Sequence, residues 1–304
     1  MDNKTNTVIV KTENLTKRFG NLVAVNELNL EVHRGEIFGF LGPNGSGKTT
    51  TIEMLIGLIR PSAGRIELFG QDITERLTAI LPRIGAVLEK PSLYPYLSGR
   101  DNLLLLARIS GAVNHKRIED VLELVGLTSR ANDKFQNYSM GMKQRLAISA
   151  ALLSDPELII LDEPTNGLDP SGMKEVRGLI KSLGNQGKTI FLNSHLLHEV
   201  EQICDHLAIV KQGKIIAQGE TSRLLRRGGA LQLKVTDTDK AVAILKSAEW
   251  ISSVTREDNS IQVNVPLERA VDISALLAKN NIFLSEMKAV ESTLETFFLE
   301  VTES

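Results

Sequence analysis

The segment GPNGSGKT, residues 42–49, constrains the fold more than any other part of the sequence. It matches the pattern G-x-x-x-x-G-K-[ST] and lies between a continuous apolar run, IFGFL, and a stretch with helical spacing, TTTIEMLIGLI. Its glycines permit backbone conformations that direct successive N–H groups at phosphate oxygens, and the dipole of the following helix adds to the attraction. The pattern therefore predicts a phosphate-binding loop between a buried strand and a helix, inside an α/β domain.

Within this loop, Lys48 and Thr49 carry the phosphate and metal chemistry. The lysine ammonium can reach the β and γ phosphates of a nucleotide, and the threonine hydroxyl is a ligand for Mg²⁺. A glycine-rich turn with an exposed lysine is the alternative, but it requires neither the strand before the loop nor the helix after it. The predicted phosphate contacts are Gly42, Pro43, Asn44, Gly45, Ser46, Gly47, Lys48, Thr49 and Thr50.

The composition argues against several classes of protein. The 304 residues are 42% hydrophobic and 24% charged, which is enough apolar material for two ordinary cores. A net charge of -2 argues against general electrostatic binding to nucleic acid or anionic lipid. The single cysteine, Cys204, cannot form an internal disulfide, and no apolar run resembles a signal peptide or a membrane span. We expect two domains, soluble by themselves in a reduced, cytoplasmic setting.

Apolar patterning predicts a mostly parallel sheet wound with helices. Residues 28–42 begin with alternation and end in a continuous apolar run, which indicates a half-exposed strand followed by a buried one. The runs ELIILDE and TIFLNSH predict two more buried strands, each followed by a helix-compatible segment. Residues 101–153 are mainly helical in pattern, and we expect the helix after the phosphate loop to end at Pro61 and Gly64.

Towards the C-terminus the pattern changes. HLAIVKQGKIIAQGE predicts a hairpin that turns near Gln212 and Gly213, and LLRRGGA reads as a linker. Short strands and helices follow in alternation around two adjacent strands, an order compatible with a ferredoxin-like sandwich. We therefore predict a first domain over 1–226 and a small α+β domain over 230–304.

Two acidic residues close one of the buried strands. In LIILDEP, Asp162 and Glu163 lie at the carboxyl end, where α/β sheets bind their ligands. Asp162 would hold Mg²⁺, and Glu163 could accept a proton from the water that attacks the γ phosphate. Neighbouring strand side chains point to opposite faces, so both acids can serve only if the chain bends, which Pro164 favours. The alternative is a pair of acids that caps a strand in solvent.

His195 closes the strand TIFLNSH at the equivalent edge. A histidine satisfied in the core or at a helix cap is one interpretation, and a phosphate-sensing residue is the other, because the neighbouring strand ends already carry nucleotide chemistry. His195, His198 and His206 do not form a zinc pattern, since neither a cysteine pair nor H-E-x-x-H accompanies them.

Together these motifs resemble an ATP-binding subunit of an ABC transporter over about residues 6–225. Lys48 lies in the segment that resembles Walker A, LIILDE resembles the Walker B strand, and YSMGMKQ resembles the signature segment. NGLDP, which contains Asp169, resembles the D-loop, and His195 resembles the switch histidine. The resemblance implies an ABC-type domain with a mostly parallel sheet, an antiparallel subdomain and a helical subdomain. It further implies that Phe19 stacks on adenine, although a core phenylalanine in a first hairpin is the alternative.

The resemblance also implies that each ATP is held by two chains. In the family the signature segment binds the γ phosphate of the other subunit's ATP, so Ser139 and Gly141 would complete a partner's site. Tyr138, Met140 and Met142 replace the leucine, first glycine and glutamine of the common L-S-G-G-Q.

A second departure from the family pattern is Glu89, where the family usually has glutamine near the metal. A glutamate at this position resembles the pattern of the family branch that exports bacitracin, lantibiotics and related lipophilic compounds. Glu89 would contact the nucleotide or Mg²⁺, unless it is a surface acid that follows a strand. The apolar stretch after it resembles the docking site of a transmembrane subunit, with Leu93, Tyr94 and Tyr96 as the expected contacts.

The expected function is that of an ATPase with ATP and Mg²⁺ as cofactors. Glu163, His195 and Lys48 would be catalytic, and Thr49, Asp162 and Glu89 would bind the metal. The expected partners are a transmembrane permease, most simply an exporter, and a second ATP-binding subunit in a homodimer at the inner face of the membrane; we expect no nucleic acid. The alternatives are a soluble ABC ATPase that acts on nucleic acid or ribosomes, and a nucleotide-dependent regulatory module.

Overall fold

The computed structural model describes residues 7–88, 93–111, 114–227, 230–248, 250–251, 253–257, 260–265, 267–290 and 293–303. Contacts between Cα atoms divide the chain into two compact units, Met1–Gln218 and Gly219–Ser304. The division falls earlier than the predicted linker at LLRRGGA, because the helix that contains most of this segment packs within the second unit. Among the described residues, no helix is long and apolar enough to cross a membrane.

In the part of the chain that the structure describes, the first unit contains two sheets and seven α-helices. Its strands are β1 (Val8–Phe19), β2 (Leu22–His33), β3 (Ile37–Leu41), β4 (Ala63–Leu68), β5 (Gln71–Asp72), β6 (Ile84–Val87), β7 (Leu158–Asp162), β8 (Thr189–Asn193), β9 (His206–Lys211) and β10 (Lys214–Glu220). Its helices are α1 (Lys48–Leu55), α2 (Ile73–Ile80), α3 (Gly99–Ile109), α4 (His115–Leu124), α5 (Met140–Ala151), α6 (Pro170–Asn185) and α7 (Leu197–Ile203).

The larger sheet of this unit has the order β10-β9-β3-β8-β7-β6. The pairs β9 with β3, β3 with β8, β8 with β7 and β7 with β6 are all parallel. Every residue of β3, β7 and β8 is buried, as their continuous apolar runs predict for strands covered on both faces. The α/β class expected from the sequence is confirmed, and the carboxyl ends of these three strands lie side by side.

The second sheet has the order β2-β1-β4-β5 and is antiparallel. In β2, Leu28, Leu30 and Val32 are buried, whereas Asn29 and Glu31 are exposed, so the alternation in the sequence marks one face of this sheet. The predicted helical stretch is also present, because α3, α4 and α5 all lie between β6 and β7.

Helix α1 ends earlier than the sequence suggested. Its last residue is Leu55 and not a residue near Pro61, because Gly57 adopts a left-handed φ of 74°. The N–H of Gly57 donates to the carbonyl of Met54, and the N–H of Leu58 donates to that of Glu53. This is the Schellman arrangement, which satisfies the last carbonyls of a helix and stops it.

The predicted hairpin joins β9 and β10 through Gln212 and Gly213. Both residues have positive φ, 50° and 78°, as a type I′ hairpin turn requires. The N–H of Gly213 donates to the carbonyl of Ser46 at 3.0 Å, and its carbonyl accepts from the N–H of Asn26 at 2.9 Å. The turn therefore braces the phosphate loop against β2.

The second unit is a small α+β fold. Its elements are α8 (Thr221–Arg227), β11 (Ala230–Val235), α9 (Thr238–Lys246), β12 (Ser253–Glu257), β13 (Ser260–Asn264), α10 (Ala270–Lys279), β14 (Leu284–Val290) and α11 (Leu294–Glu303). The sheet has the order β12-β13-β11-β14 with antiparallel neighbours. From β11 to β14 this is the strand order of a ferredoxin-like sandwich. Its core includes Leu233, Ile261, Leu245 and Leu277.

Candidate functional site

The phosphate loop connects β3 to α1 at the carboxyl edge of the parallel sheet. A side chain at Gly42 would place its Cβ 2.2 Å from the carbonyl oxygen of Val210. Gly47 has a φ of 100°, and a Cβ there would lie 2.3 Å from the carbonyl oxygen of Ala24. Both glycines are thus required by close backbone approach, and Gly47 also by its left-handed conformation.

Lys48 lies at the mouth of this loop. Its Nζ donates to the carbonyl of Gly42 at 2.7 Å and to that of Pro43 at 3.1 Å. Burial lowers the pKa of Lys48, and the nearby charges of Glu163 and Asp162 oppose this shift. The ammonium is therefore partly desolvated and held by carbonyl oxygens, which are weaker partners than the phosphate oxygens of a nucleotide.

The chain bends at Glu163 itself. This residue follows β7 in a left-handed conformation with a φ of 50°, and its N–H donates to the carbonyl of Asn193 at 2.9 Å. A non-glycine residue in this region is strained, and such strain persists where surrounding contacts fix it. Asp162 and Glu163 consequently both line one cavity, although they are neighbours in the sequence.

His195 contacts Glu163 directly. Its Nδ1 lies 2.7 Å from Oε2 of the glutamate, and its side chain is about half exposed, which rules out the core interpretation. The other two histidines have different surroundings, since His198 contacts Gln202 and His206 contacts Glu36. In the part of the chain that the structure describes, no group of three or more histidines, cysteines and acids could hold a metal ion by itself.

Lys48, Asp162 and Glu163 all line a cavity of about 1000 Å³. Phe19 lies at its edge and is 49% exposed, so it is not a core residue, and Lys17 Nζ lies 5.0 Å from its ring centroid. The exposed ring offers a flat apolar surface for a base. The lining residues are Phe19, Leu22, Ala24, Asn44, Gly45, Gly47, Lys48, Thr49, Thr50, Met140, Gln144, Asp162, Glu163, Asn166, Gly167 and Asn193.

Several of these lining residues were not predicted. Leu22, Ala24, Gln144 and Asn166 stand in ordinary strand, helix and loop contexts, so the sequence gives no signal for them. Asn193 does have a signal, because it is a polar residue at the end of the apolar run TIFLN. Pro43, Ser46 and Gly42 belong to the loop but are not among the described residues that line the cavity.

The signature segment begins α5. Ser139 is exposed and is the N-cap, where its Oγ accepts from the N–H of Met142 at 3.2 Å. Gly141 packs closely on α6, with Gly172 Cα 3.5 Å from the position of a Cβ. Tyr138 is buried and its hydroxyl donates to the carbonyl of Arg130 at 2.7 Å, so it replaces leucine as a packing residue. Neither Ser139 nor Gly141 is among the described residues that line the cavity of the same chain.

Asp169 and Glu89 are the two remaining residues predicted to contact the nucleotide. Asp169 is the exposed N-cap of α6, where its Oδ1 accepts from the N–H of Gly172 at 3.1 Å, and it is not among the described lining residues. Glu89 lies outside the described residues. Their predicted contacts with the nucleotide remain predictions.

A second, apolar groove of about 490 Å³ lies between β6, α3 and α5. Leu93, Leu106 and Ile109 line it, and Ile109 is 70% exposed. Tyr94 and Tyr96 are exposed in the segment just before α3. The first unit therefore presents apolar side chains to solvent where the sequence predicted a docking site.

Comparisons with known proteins agree with this geometry. A family model described as "ABC transporter" matches residues 25–166. The chain is 42% identical over 296 residues to the bacitracin transport ATP-binding protein BcrA of Bacillus licheniformis, covering 96% of this chain and 97% of that protein. It is 38% identical to BcrA of Enterococcus faecalis, covering 95% of each. The solved dimer of the ATP-binding cassette MJ0796 with ADP and Pi is 29% identical, with a TM-score of 0.63, covering 70% of this chain and 99% of that chain.

Proposed function

Because the chain belongs to the ATP-binding subunits of ABC transporters, we propose that it hydrolyses ATP in a head-to-tail pair and thereby drives a separate export permease. The ATPase activity itself follows from the family. The observation that carries the assignment of roles is the bend at Glu163, which brings this carboxylate, Asp162 and Lys48 to one cavity.

Three residues have separate roles in ATP hydrolysis. Lys48 exchanges its two carbonyl partners for the β and γ phosphates and neutralises part of their charge. The Glu163 carboxylate accepts the proton of the attacking water. His195 holds Oε2 of Glu163 through Nδ1, which leaves the other carboxylate oxygen to face the water. Phe19 stacks on the adenine, and the loop glycines let backbone N–H groups approach the phosphates.

Mg²⁺ fits the donors that the site offers. Magnesium in nucleotide sites is held by one or two protein oxygens together with phosphates and water. Thr49 supplies a hydroxyl and Asp162 a buried carboxylate in the same cavity. When bound, the ion would supply charge compensation for the phosphates.

Pairing of two subunits completes each site in this proposal. Ser139 and Gly141 lie at the N-terminus of α5, where a hydroxyl and free backbone N–H groups suit a phosphate, yet they do not line the described cavity of their own chain. As the family resemblance implies, they would act on the γ phosphate held by Lys48 of the partner subunit, with Asp169 near the same interface. MJ0796 supports this proposal, since it was solved as a dimer.

The apolar groove is our candidate contact with the permease. A helix of a transmembrane subunit that enters it would cover Leu93, Leu106 and Ile109. This contact would hold the chain at the cytoplasmic face of the membrane. Both BcrA relatives are named for bacitracin transport, which favours a peptide antibiotic or a similar lipophilic compound as cargo over a role on nucleic acid or ribosomes.

Glu163→Gln tests the hydrolytic role. The amide keeps the size of the side chain but cannot accept the proton, so ATP should bind while turnover falls about 10² to 10⁴-fold. A dimer that holds ATP should then accumulate, as measured by size exclusion with Mg-ATP. Turnover at the wild-type rate would remove Glu163 from the mechanism.

A mixture of Ser139→Arg with Lys48→Ala tests whether the site is shared. Each variant should be nearly inactive alone, but their mixed dimer contains one site with an intact phosphate loop and an intact signature segment. About half of the dimers in an equal mixture are mixed, so about a quarter of wild-type turnover should return if the two sites fire independently.

Strict coupling between the two sites could conceal this rescue, so a crosslink provides a second measurement. Ser139→Cys should react with a γ-phosphate-reactive ATP analogue bound to the opposite chain. Crosslinking confined to the chain that holds the nucleotide would refute the shared site.

A further inference from the structure

Asn193 is the one polar side chain at the end of β8, after the run Thr189–Leu192. Its side chain is 1% exposed and lies beside Asp162, its partner in the β7–β8 ladder. The Nδ2 group of Asn193 donates to Oδ1 of Asp162. Its own Oδ1 is buried and has no hydrogen-bond partner in the described chain.

A buried amide oxygen without a donor is destabilising and calls for an explanation. Rotating the amide does not help, because it would place Oδ1 against the carboxylate of Asp162, where neither oxygen can donate. The contact with Asp162 therefore fixes the orientation. Asn193 is also among the residues that line the nucleotide cavity, which makes a ligand of that cavity the candidate donor for this oxygen.

We propose that Asn193 is a positioning residue for the divalent cation of this site. Its Nδ2 would hold the carboxylate of Asp162 in one orientation, and its Oδ1 would accept a hydrogen bond from the hydration water of the ion. The inference rests on the proposed function, since it assumes that Asp162 and Thr49 hold Mg²⁺ beside ATP. Polar groups behind a metal ligand orient that ligand and raise its affinity for the metal.

The chemistry of the orphan oxygen favours hydration water over the phosphates of the nucleotide. An amide oxygen accepts only from a donor, and ionised phosphates have no proton to give. Magnesium keeps several of its waters in protein sites, and each of these waters donates. The water that attacks the γ phosphate is another mobile donor, so an experiment must separate metal affinity from turnover.

Metal affinity can be measured without turnover in a Glu163→Gln parent, which should bind ATP and not consume it. The probe is Mn²⁺, whose free concentration is followed by electron paramagnetic resonance in the presence of ATP. Asn193→Leu in this parent should weaken Mn²⁺ binding about 10 to 100-fold. ATP affinity in the presence of a chelator should change by less than about twofold, because no phosphate contact is lost.

Asn185→Leu is the matched control. It removes the same amide group from an exposed position at the end of α6, which is not among the described residues that line the cavity, and Mn²⁺ affinity should stay within about twofold of the parent. If Asn193→Leu fails to fold, Asn193→Ser replaces it, because one short hydroxyl cannot reach both positions that the amide serves. This variant should weaken Mn²⁺ binding in the same direction.

Three outcomes are distinguishable. Failure of the Glu163→Gln parent to bind Mn²⁺ with ATP would refute the metal part of the proposed function and the inference with it. A parent that binds Mn²⁺, together with an Asn193→Leu variant that binds it equally well, would overturn the inference alone. An equal loss of Mn²⁺ affinity and of metal-free ATP affinity would show that Asn193 is a structural residue.

Discussion

Because Glu163 adopts a left-handed backbone conformation, a glycine at this position should give a more stable protein than an alanine. The variants Glu163→Ala and Glu163→Gly both remove the carboxylate and its contact with His195, so they differ only in the Cβ methyl group and in the backbone preference that it imposes. A residue with a Cβ costs roughly 1–2 kcal/mol at this φ of 50°. Glycine avoids this cost but loses about 0.5–1 kcal/mol more backbone entropy on folding. The glycine variant should therefore be more stable by about 0.5–1 kcal/mol.

Urea unfolding followed by circular dichroism measures this difference. Tryptophan fluorescence does not serve, because Trp250 is the single tryptophan and lies in the second unit. Lys174 supplies the control, because it is exposed in the interior of α6 and has no left-handed backbone. At this position the order of stability should reverse, and the glycine variant should be less stable than the alanine variant by about 1 kcal/mol. An alanine variant of Glu163 at least as stable as the glycine variant would refute the strain argument.

Three other measurements follow from the site and the two units. ATP affinity should fall as the pH rises through the lowered pKa of Lys48, because ATP prefers the charged amine; Lys48→Arg should abolish this fall in a titration with a fluorescent ATP analogue. Ile109→Glu should reduce copurification of a membrane partner and leave ATP affinity unchanged, and equal copurification would refute the groove. A chain ending at Arg227 should keep ATP affinity if it folds, and loss of affinity in a folded truncation would contradict the predicted division.

The sequence predicted those parts of the site that depend on local chemistry. The phosphate loop needs glycine where the backbone approaches Val210 and Ala24, and buried parallel strands need continuous apolar runs, so both leave a pattern in the sequence. The turn at Gln212 and Gly213 is equally local, because positive φ at two adjacent residues favours few residue types.

Contacts between distant segments were not predictable in the same way. His195 meets Glu163 because β8 lies directly beside β7, and strand order is set by the packing of the whole sheet. Leu22 lines the cavity as an exposed leucine, which no pattern distinguishes from a core residue. The early end of α1 was missed because Gly57 outweighed the helical spacing of the apolar residues that follow it.

The turn between β9 and β10 sets a lower limit on the size of a piece of this protein that can hold ATP. Every nucleotide motif ends by His195, and the match to the family model ends at residue 166. The carbonyl of Ser46, however, accepts its hydrogen bond from Gly213, and a Cβ at Gly213 would lie 2.9 Å from the carbonyl oxygen of Ala24. A fragment that stops after the last motif would contain every residue with nucleotide chemistry and still lack the brace for the phosphate loop. Inactivating substitutions should therefore also occur at Gly213, which is not among the described residues that line the nucleotide cavity.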